Sequence, residues 1–135
     1  SSSRKELLLA MFKRYFTPQE ANRRLPLVKK IVVDILEKGK ELRLLAEELQ
    51  TQNKEIPLKL LNLRDEIEDL MAELEQLGCF FKDWNFQIGL VDFPAIIEGK
   101  EVFLCWRSDE PDIRYYHFLE DGYAGRRPIP EHLLV

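Results

Sequence analysis

Residues 56–78 read IPLKLLNLRDEIEDLMAELEQLG, and this stretch decides the predicted architecture of the chain. Its isoleucines and leucines recur at alternating steps of four and three residues: Ile56, Leu60, Leu63, Ile67, Leu70, Leu74 and Leu77. Such spacing is typical of a helix with one apolar edge. Gly78 can adopt the left-handed conformation with which a helix often ends. The stretch therefore predicts a helix that ends at residue 77.

A second apolar pattern of the same kind precedes this helix. It begins at Pro26, and Lys38 is its one polar interruption. Its apolar positions are Val28, Ile31, Ile35, Leu42, Leu45 and Leu49. The polar segment 50–57 then ends in a proline, which favours the start of a new helix. Because two helices with matching edges and a short connection pair antiparallel, the sequence predicts a long, coiled-coil-like helical hairpin.

A short helix is predicted before this hairpin. Thr17 is a good N-cap, Pro18 suits the first helical position, and Glu20 stands three residues after the cap. Together they form a capping box, which satisfies backbone N–H groups at a helix start. Pro26 disfavours continuation, because its ring restricts Leu25 and lacks a backbone donor. We therefore expect the first helix to end at Leu25.

After Gly78 the apolar pattern changes to a period of two residues, rich in aromatic and β-branched side chains. Such alternation predicts strands, here over 90–97, 101–107 and 113–118. A glycine-containing connection, Glu98-Gly99-Lys100, predicts a hairpin between the first two. Pro94 indicates that its strand lies at an edge or carries a bulge, and prolines 128 and 130 exclude a central strand at the end.

The predicted fold class is therefore α+β. It comprises the antiparallel helical hairpin, a short N-terminal helix and a small antiparallel β-sheet of about three strands at the C-terminal end. We expect a single domain over 1–135, with a helical part over 17–77 and sheet and loops over 79–128. Residues 1–10 are set aside as non-native or flexible, with Met11 as a natural start.

Composition narrows the classes of function. The formal net charge of -4 argues against a general nucleic-acid binder, which carries a basic footprint, so no specific nucleic-acid partner is expected. The apolar run Leu7–Phe12 is far shorter than the ~20 residues that cross a bilayer, so no membrane span is expected. Cys79 and Cys105 lie in apolar runs, which predicts buried thiols and a reducing, cytoplasmic setting.

The apolar surface of the helices is wider than a two-helix contact requires. Additional apolar side chains lie off the two edges: Leu27, Val32, Val33, Leu36 and Leu61. Either the C-terminal region or a second copy of the chain has to cover them. The sequence does not distinguish between these two possibilities.

Several short motifs follow one another in a fixed order. They are Phe16-Thr17-x-x-Glu20-Ala21-Asn22, Leu25-Pro26, Lys82-Asp83, Gly89-Leu90-Val91-Asp92-Phe93-Pro94, Leu104-Cys105-Trp106-Arg107, Glu110-Pro111, His117 and Gly125-Arg126-Arg127-Pro128. In this combination the chain resembles, over residues 16–128, a small bacterial family catalogued as domain of unknown function 2203. The resemblance implies a helical hairpin with a small sheet, no assigned activity and no cofactor.

The strongest candidate site surrounds His117. Alternation along its strand predicts that His117 is buried, and Glu110, Asp121 and Asp92 lie within folding distance. An imidazole with carboxylates suits a divalent metal, for which the candidate ligands are His117, Glu110 and Asp121. The spacing matches no zinc motif, since neither a second nearby histidine nor a cysteine pair occurs. An ordinary hydrogen bond of His117 to a carboxylate or carbonyl is the favoured interpretation.

Arg126 and Arg127 extend this candidate cluster, which also includes Trp106. Their guanidinium groups could bind a phosphate or carboxylate ligand. The favoured alternative is an internal clamp on Asp92, Glu110 or Asp121. Cys105 is considered as a nucleophile and set aside, because a thiol between apolar neighbours in a strand is ordinarily inert.

Two functions follow as hypotheses. The favoured one is a non-enzymatic cytoplasmic interaction or accessory module, which contacts a protein partner or a second copy through its helical hairpin. The alternative is an enzyme-like protein that binds a small ligand, an anion or a metal around His117 and Arg127. A paired, buried cluster would favour the first hypothesis, and an exposed cluster in a concave pocket the second.

Overall fold

The computed structural model describes residues 14–52, 55–83 and 85–135. The expectations for residues 1–10, Met11 and the Leu7–Phe12 run lie outside them. The elements are α1 Pro18–Gln52, α2 Leu58–Gln76, β1 Phe80–Phe81, β2 Leu90–Ile97, β3 Lys100–Arg107, β4 Tyr115–Phe118, a 3-10 turn Tyr123–Gly125, β5 Arg127–Pro128 and α3 Glu131–Leu134. The α+β class is confirmed.

The start of α1 is the predicted capping box. The backbone N–H of Glu20 donates to Thr17 Oγ1 at 3.1 Å, and the backbone N–H of Thr17 donates to Glu20 Oε1 at 3.0 Å. Two backbone donors are thus satisfied reciprocally before the first helical bond forms. This local sequence signal sets where α1 begins.

The predicted end of the first helix at Leu25 is wrong, because α1 continues through Pro26. A proline inside a helix costs about 3 kcal/mol through its lost hydrogen bond and ring clash. On either side, Leu25 is 3% and Val28 0% exposed. Burial of such a side chain contributes about 1.5 to 3 kcal/mol, so the packing of these two offsets the local cost. The short N-terminal helix is therefore the first part of α1.

The two long helices pack against each other. Lys38 Nζ lies 3.0 Å from Glu66 and Lys59 Nζ 3.2 Å from Glu41, so residues later in α2 meet residues earlier in α1. The pair is antiparallel but unequal, with 35 residues in α1 and 19 in α2. Gly78 follows α2 with φ +94°, the left-handed stop that the sequence predicts. Among the described residues, no helix combines the length and apolar composition needed to cross a membrane.

The sheet has five antiparallel strands in chain order, so the expectation of about three strands is wrong. The central strands β2, β3 and β4 correspond to the predicted ones. The two outer strands, β1 and β5, have two residues each. Strands of this length are too short to show an alternating pattern, and they form because a paired edge is already in place.

The β2–β3 hairpin sets the register of the sheet. Glu98 and Gly99 both have positive φ, 53° and 78°, as a type I′ turn requires. Ile97 then pairs with Lys100, and pairing continues without a bulge to Leu90 and Arg107. Pro94 lies beyond the short β1, at an edge of the sheet as the sequence predicts, and its carbonyl accepts the backbone N–H of Phe16 at 2.7 Å.

The sheet has one covered face and one outer face. Directly opposite residues project to the same face, so the register places Val91, Phe93, Ala95, Val102, Leu104 and Trp106 together. These side chains form one buried core with α1 and α2. The outer face carries the alternate residues of the same strands: Asp92, Phe103, Cys105, Tyr115 and His117.

The helices extend past the core at their connected end. Residues 40–52 and 55–62, which we call the distal hairpin, contain no buried side chain. Of the apolar residues predicted off the helix edges, Val32 is buried in the core, while Leu27 and Val33 are 50% and 52% exposed. The sheet and the loop before β2 therefore cover the rest of the helical hairpin and reach only the base of the distal hairpin, where Leu42 packs against the core and Arg43 Nη1 donates to the Asn85 carbonyl at 2.9 Å.

Candidate functional site

Three chemically active side chains meet on the outer face, one from each central strand. Asp92 stands on β2, Cys105 on β3 and His117 on β4, and Asp92 pairs directly with Cys105. Their ligand atoms all lie within 4.8 Å of one another. The residues are 4%, 1% and 3% exposed. We call these three residues the outer-face cluster.

Both ring nitrogens of His117 face oxygen atoms. Nδ1 lies 2.8 Å from the backbone oxygen of Phe118, and Nε2 lies 3.1 Å from Asp92 Oδ2. A carbonyl oxygen can only accept, so Nδ1 carries a hydrogen. When Nε2 carries a hydrogen as well, it donates it to Asp92 Oδ2, and the ring is then charged. Burial opposes this charged imidazolium, but the hydrogen bonds to Asp92 and Phe118 outweigh it and raise the pKa of His117 above its usual 6.5.

Cys105 is a protonated thiol in this arrangement. Burial, followed by the nearby Asp92 carboxylate, raises the pKa of its thiol to about 12. Burial likewise raises the pKa of Cys79 to about 12. Neither thiol forms a disulfide. Without a change in its surroundings, Cys105 is therefore not an activated nucleophile.

A second polar group lies beside the outer-face cluster. Arg126 Nη1 donates to Glu110 Oε1 at 2.8 Å, and the same oxygen accepts the backbone N–H of Arg107 at 2.7 Å. The two side chains of the ion pair are 13% and 14% exposed. The guanidinium of Arg126 lies 4.3 Å from the Tyr115 ring and 4.5 Å from the Tyr123 ring. Arg126 therefore fastens the loop before β5 onto the outer face.

Loop contacts from outside the sheet support this arrangement. The side-chain amide of Asn22 in α1 donates to the Ile113 carbonyl at 3.2 Å and accepts the Ile113 N–H at 2.8 Å. This double contact ties the chain just before β4 to α1. The carboxylate of Asp83 accepts backbone N–H groups of the loop before β2, those of residues 85, 87 and 88. These contacts hold the backbone just before β4 and β2, the strands that carry His117 and Asp92.

The structure separates the predicted site residues into groups. Asp92 is hydrogen-bonded to His117, and Glu110 to Arg126. Trp106 projects into the core, although its indole N–H donates to the Glu110 carbonyl at 2.9 Å.

Two further predicted site residues, Asp121 and Arg127, belong to neither of these groups. Asp121 is exposed and packs beside Gly125. Arg127 is exposed, with its guanidinium 4.9 Å from the Phe118 ring. The predicted ligands His117, Glu110 and Asp121 do not converge: within the described ranges, the group of three or more such side chains is the outer-face cluster.

Cys105 is the member of this cluster that the sequence interpretation sets aside. The sequence nevertheless contained a signal that places Cys105 beside Asp92. The connection has two residues, Glu98 and Gly99, and the predicted three-residue connection is wrong because Lys100 already pairs with Ile97. A two-residue turn at these positions implies the pairing of Asp92 with Cys105, because pairs count outward symmetrically from the turn. Strand alternation alone could not provide this, since it assigns faces without register.

The fold and its polar cluster define an α+β protein in which packed helices cover one face of a five-stranded antiparallel meander. The family model described as "Uncharacterized conserved protein (DUF2203)" matches residues 14–129, and the chain belongs to this family. No curated protein and no solved structure matches the chain.

Proposed function

We propose that this protein is a non-enzymatic interaction module that associates with a second copy of itself through the distal hairpin. The single observation that carries the proposal is the apolar surface left uncovered there. Its partly or largely exposed apolar side chains are Leu44, Leu45, Leu49, Ile56, Leu58, Leu60 and Leu61. Leu44, Ile56 and Leu58 are 54%, 65% and 72% exposed. Exposed apolar surface gathered at one end of a protein is a usual mark of a protein contact.

The pattern of charge supports a second copy as the occupant. The distal hairpin carries basic side chains at 40, 43 and 59 and acidic ones at 41, 47, 48 and 55. A surface of one sign would select an oppositely charged partner, whereas interspersed charges can complement themselves about a two-fold axis. Two such hairpins packed side by side would form a four-helix contact.

The state of the polar cluster supports a non-enzymatic role. His117 is paired with Asp92 and Glu110 with Arg126, and among the described residues no buried side-chain nitrogen or oxygen lacks a partner. Two shallow clefts, of about 410 and 270 Å³, lie between α1 and α2 and beside the start of α1. Neither is lined by a residue of the outer-face cluster. We therefore favour interaction over the alternative of an enzyme-like site around His117 and Arg127.

A cytoplasmic location forms part of the proposal. Cys79 and Cys105 are buried, free thiols. Proteins that function in oxidising compartments more often carry disulfides. The free thiols therefore support a reducing compartment.

The proposal is tested by the solution mass of the protein at micromolar concentration. Light scattering should give the mass of two chains for the wild type and of one chain for Leu44→Glu, whose charge would be buried in the contact. Leu27→Glu is the matched control, because Leu27 lies on the same helix, is 50% exposed and is outside the distal hairpin. It should keep the mass of two chains. A wild-type mass of one chain, or dissociation by both variants alike, would refute self-association through this surface.

A further inference from the structure

We propose that Asp92, Cys105 and His117 together bind a divalent transition-metal ion, with Zn²⁺ the ion that best suits their donor atoms. The site does not depend on self-association. Its ligand set differs from the one that the sequence suggested. Thiolate, imidazole and carboxylate are the three side-chain donors that Zn²⁺ takes in proteins.

The geometry of the three donors is close to that of a metal site. Zinc bonds of about 2.0 to 2.3 Å in a tetrahedron put neighbouring ligand atoms about 3.3 to 3.6 Å apart. His117 Nε2 and Asp92 Oδ2 are 3.1 Å apart, and the thiol of Cys105 is within 4.8 Å of both. Small side-chain rotations therefore bring the three atoms around one ion, and one position of the tetrahedron remains for a water molecule.

His117 is already oriented as a metal ligand. Its Nδ1–H donates to the backbone oxygen of Phe118, which aims Nε2 at Asp92 and Cys105. A metal-bound histidine usually donates its other ring N–H to a carbonyl or carboxylate in this way. The contact fixes both the ring orientation and the tautomer in which Nε2 is free to bind.

Charge balance also permits the exchange of protons for an ion. When a divalent ion binds, His117 coordinates through a neutral Nε2 and Cys105 as a thiolate, and their protons pass to solvent. The thiolate and the Asp92 carboxylate then carry two negative charges, which balance the two positive charges of the ion. Because an uncompensated buried charge is costly, this balance favours the site. The neighbouring Arg126 adds no unpaired charge, since Glu110 lies 2.8 Å from it.

Co²⁺ is the probe for this site, because a tetrahedral thiolate complex of Co²⁺ has visible bands and a sulfur-to-cobalt charge-transfer band. The untagged protein is stripped with a chelator and unfolded, then refolded with Co²⁺, since the cluster is buried. We expect one bound ion per chain, both kinds of band, and their loss when Zn²⁺ displaces Co²⁺. Their absence in the refolded wild type would overturn the proposal.

Two cysteine variants locate the ion. Cys105→Ser should abolish the charge-transfer band and lower the affinity by more than the about 10- to 100-fold that loss of a residue supporting a metal ligand costs. Cys79→Ser is the matched control, because Cys79 is equally buried but lies outside the outer-face cluster, and its thiol donates to the Leu74 carbonyl at 3.5 Å. It should keep the complete spectrum. Loss of the band in Cys79→Ser, or its survival in Cys105→Ser, would overturn the assignment.

Asp92→Asn keeps the test decisive if Cys105→Ser does not fold. It preserves the size of the side chain and its ability to accept a hydrogen bond, while it removes the charge. Circular dichroism verifies its fold. We expect a weakened Co²⁺ affinity with the charge-transfer band retained at saturation. An unchanged affinity would overturn the role of Asp92.

Discussion

Gly39→Ala should destabilise this protein, although alanine is the better helix former. Gly39 is a buried residue of α1, where glycine costs about 0.8 to 1 kcal/mol relative to alanine. A Cβ at this position would lie 2.3 Å from Phe86 Cγ and 2.4 Å from Phe86 Cβ. Both distances are at least an ångström short of the 3.4–4 Å of ordinary contact. Helix propensity and packing therefore act in opposite directions at this residue.

The position of Phe86 decides which effect prevails. The clash involves the root of its side chain, and its φ of 55° is already unusual for a residue with a Cβ. Its ring also stacks on Phe81, with centroids 6.3 Å apart. Because the ring cannot simply rotate away, we expect overpacking at the upper end of the usual range, about 3 kcal/mol. After the gain in helix propensity, Gly39→Ala should cost about 2 kcal/mol.

A double-mutant cycle with Phe86→Gly separates the two effects, because glycine removes both Phe86 atoms that the new Cβ would meet. Urea unfolding, followed by circular dichroism, gives the free energy of unfolding of each variant. In the Phe86→Gly background the clash is absent, so Gly39→Ala should stabilise by about 1 kcal/mol. The coupling free energy is then about 3 kcal/mol. A stabilising effect of Gly39→Ala in the wild type, or the same effect in both backgrounds, would contradict the predicted clash.

Two further predictions concern the ion pair and the helix start. Arg126→Met should lower the free energy of unfolding, measured in urea, by about 2 kcal/mol, because it leaves the Glu110 carboxylate poorly solvated. This is somewhat less than the about 3 to 5 kcal/mol for breaking a fully buried pair. The control Arg114→Met removes an exposed ion pair with Asp112 and should cost clearly less; equal costs would contradict the role of burial. The hydrogen bonds from Thr17 lower the pKa of Glu20 from its usual 4.5, so its contribution is complete above that pH and is lost as the pH falls through the lowered value. The stability advantage of the wild type over Glu20→Gln should therefore shrink on acidification, and a constant difference would contradict it.

Local signals predicted the elements with most success. The capping box at Thr17 set the start of α1, and Gly78 set the end of α2, because each acts through backbone groups a few residues away. The turn at Glu98 and Gly99 likewise determines its own hairpin. The prediction that a helix ends before Pro26 was wrong because it considered only such local effects. The local cost of Pro26 is real, but the burial of its helical neighbours, which no local pattern records, exceeds that cost.

The candidate site depended more strongly on tertiary structure. His117 was predicted to be buried, and it is, but its partner among several carboxylates could not be chosen from spacing along the chain. Asp92 is 25 residues away, and only the register of three strands brings it within 3.1 Å. The same register adds Cys105 to the cluster and leaves Asp121 outside it. Residues that share a strand face become neighbours only when the strands are aligned.

Residue patterns along the chain were enough to predict the α+β class, the two long helices with their apolar edges, the central hairpin and the burial of His117. Each of these follows from periodicity, capping or turn chemistry within a short segment. The folded structure was needed to show that α1 continues through Pro26, that short edge strands widen the sheet to five, and that the outer-face cluster assembles. These features depend on contacts between distant segments, whose free energy appears only when the chain packs.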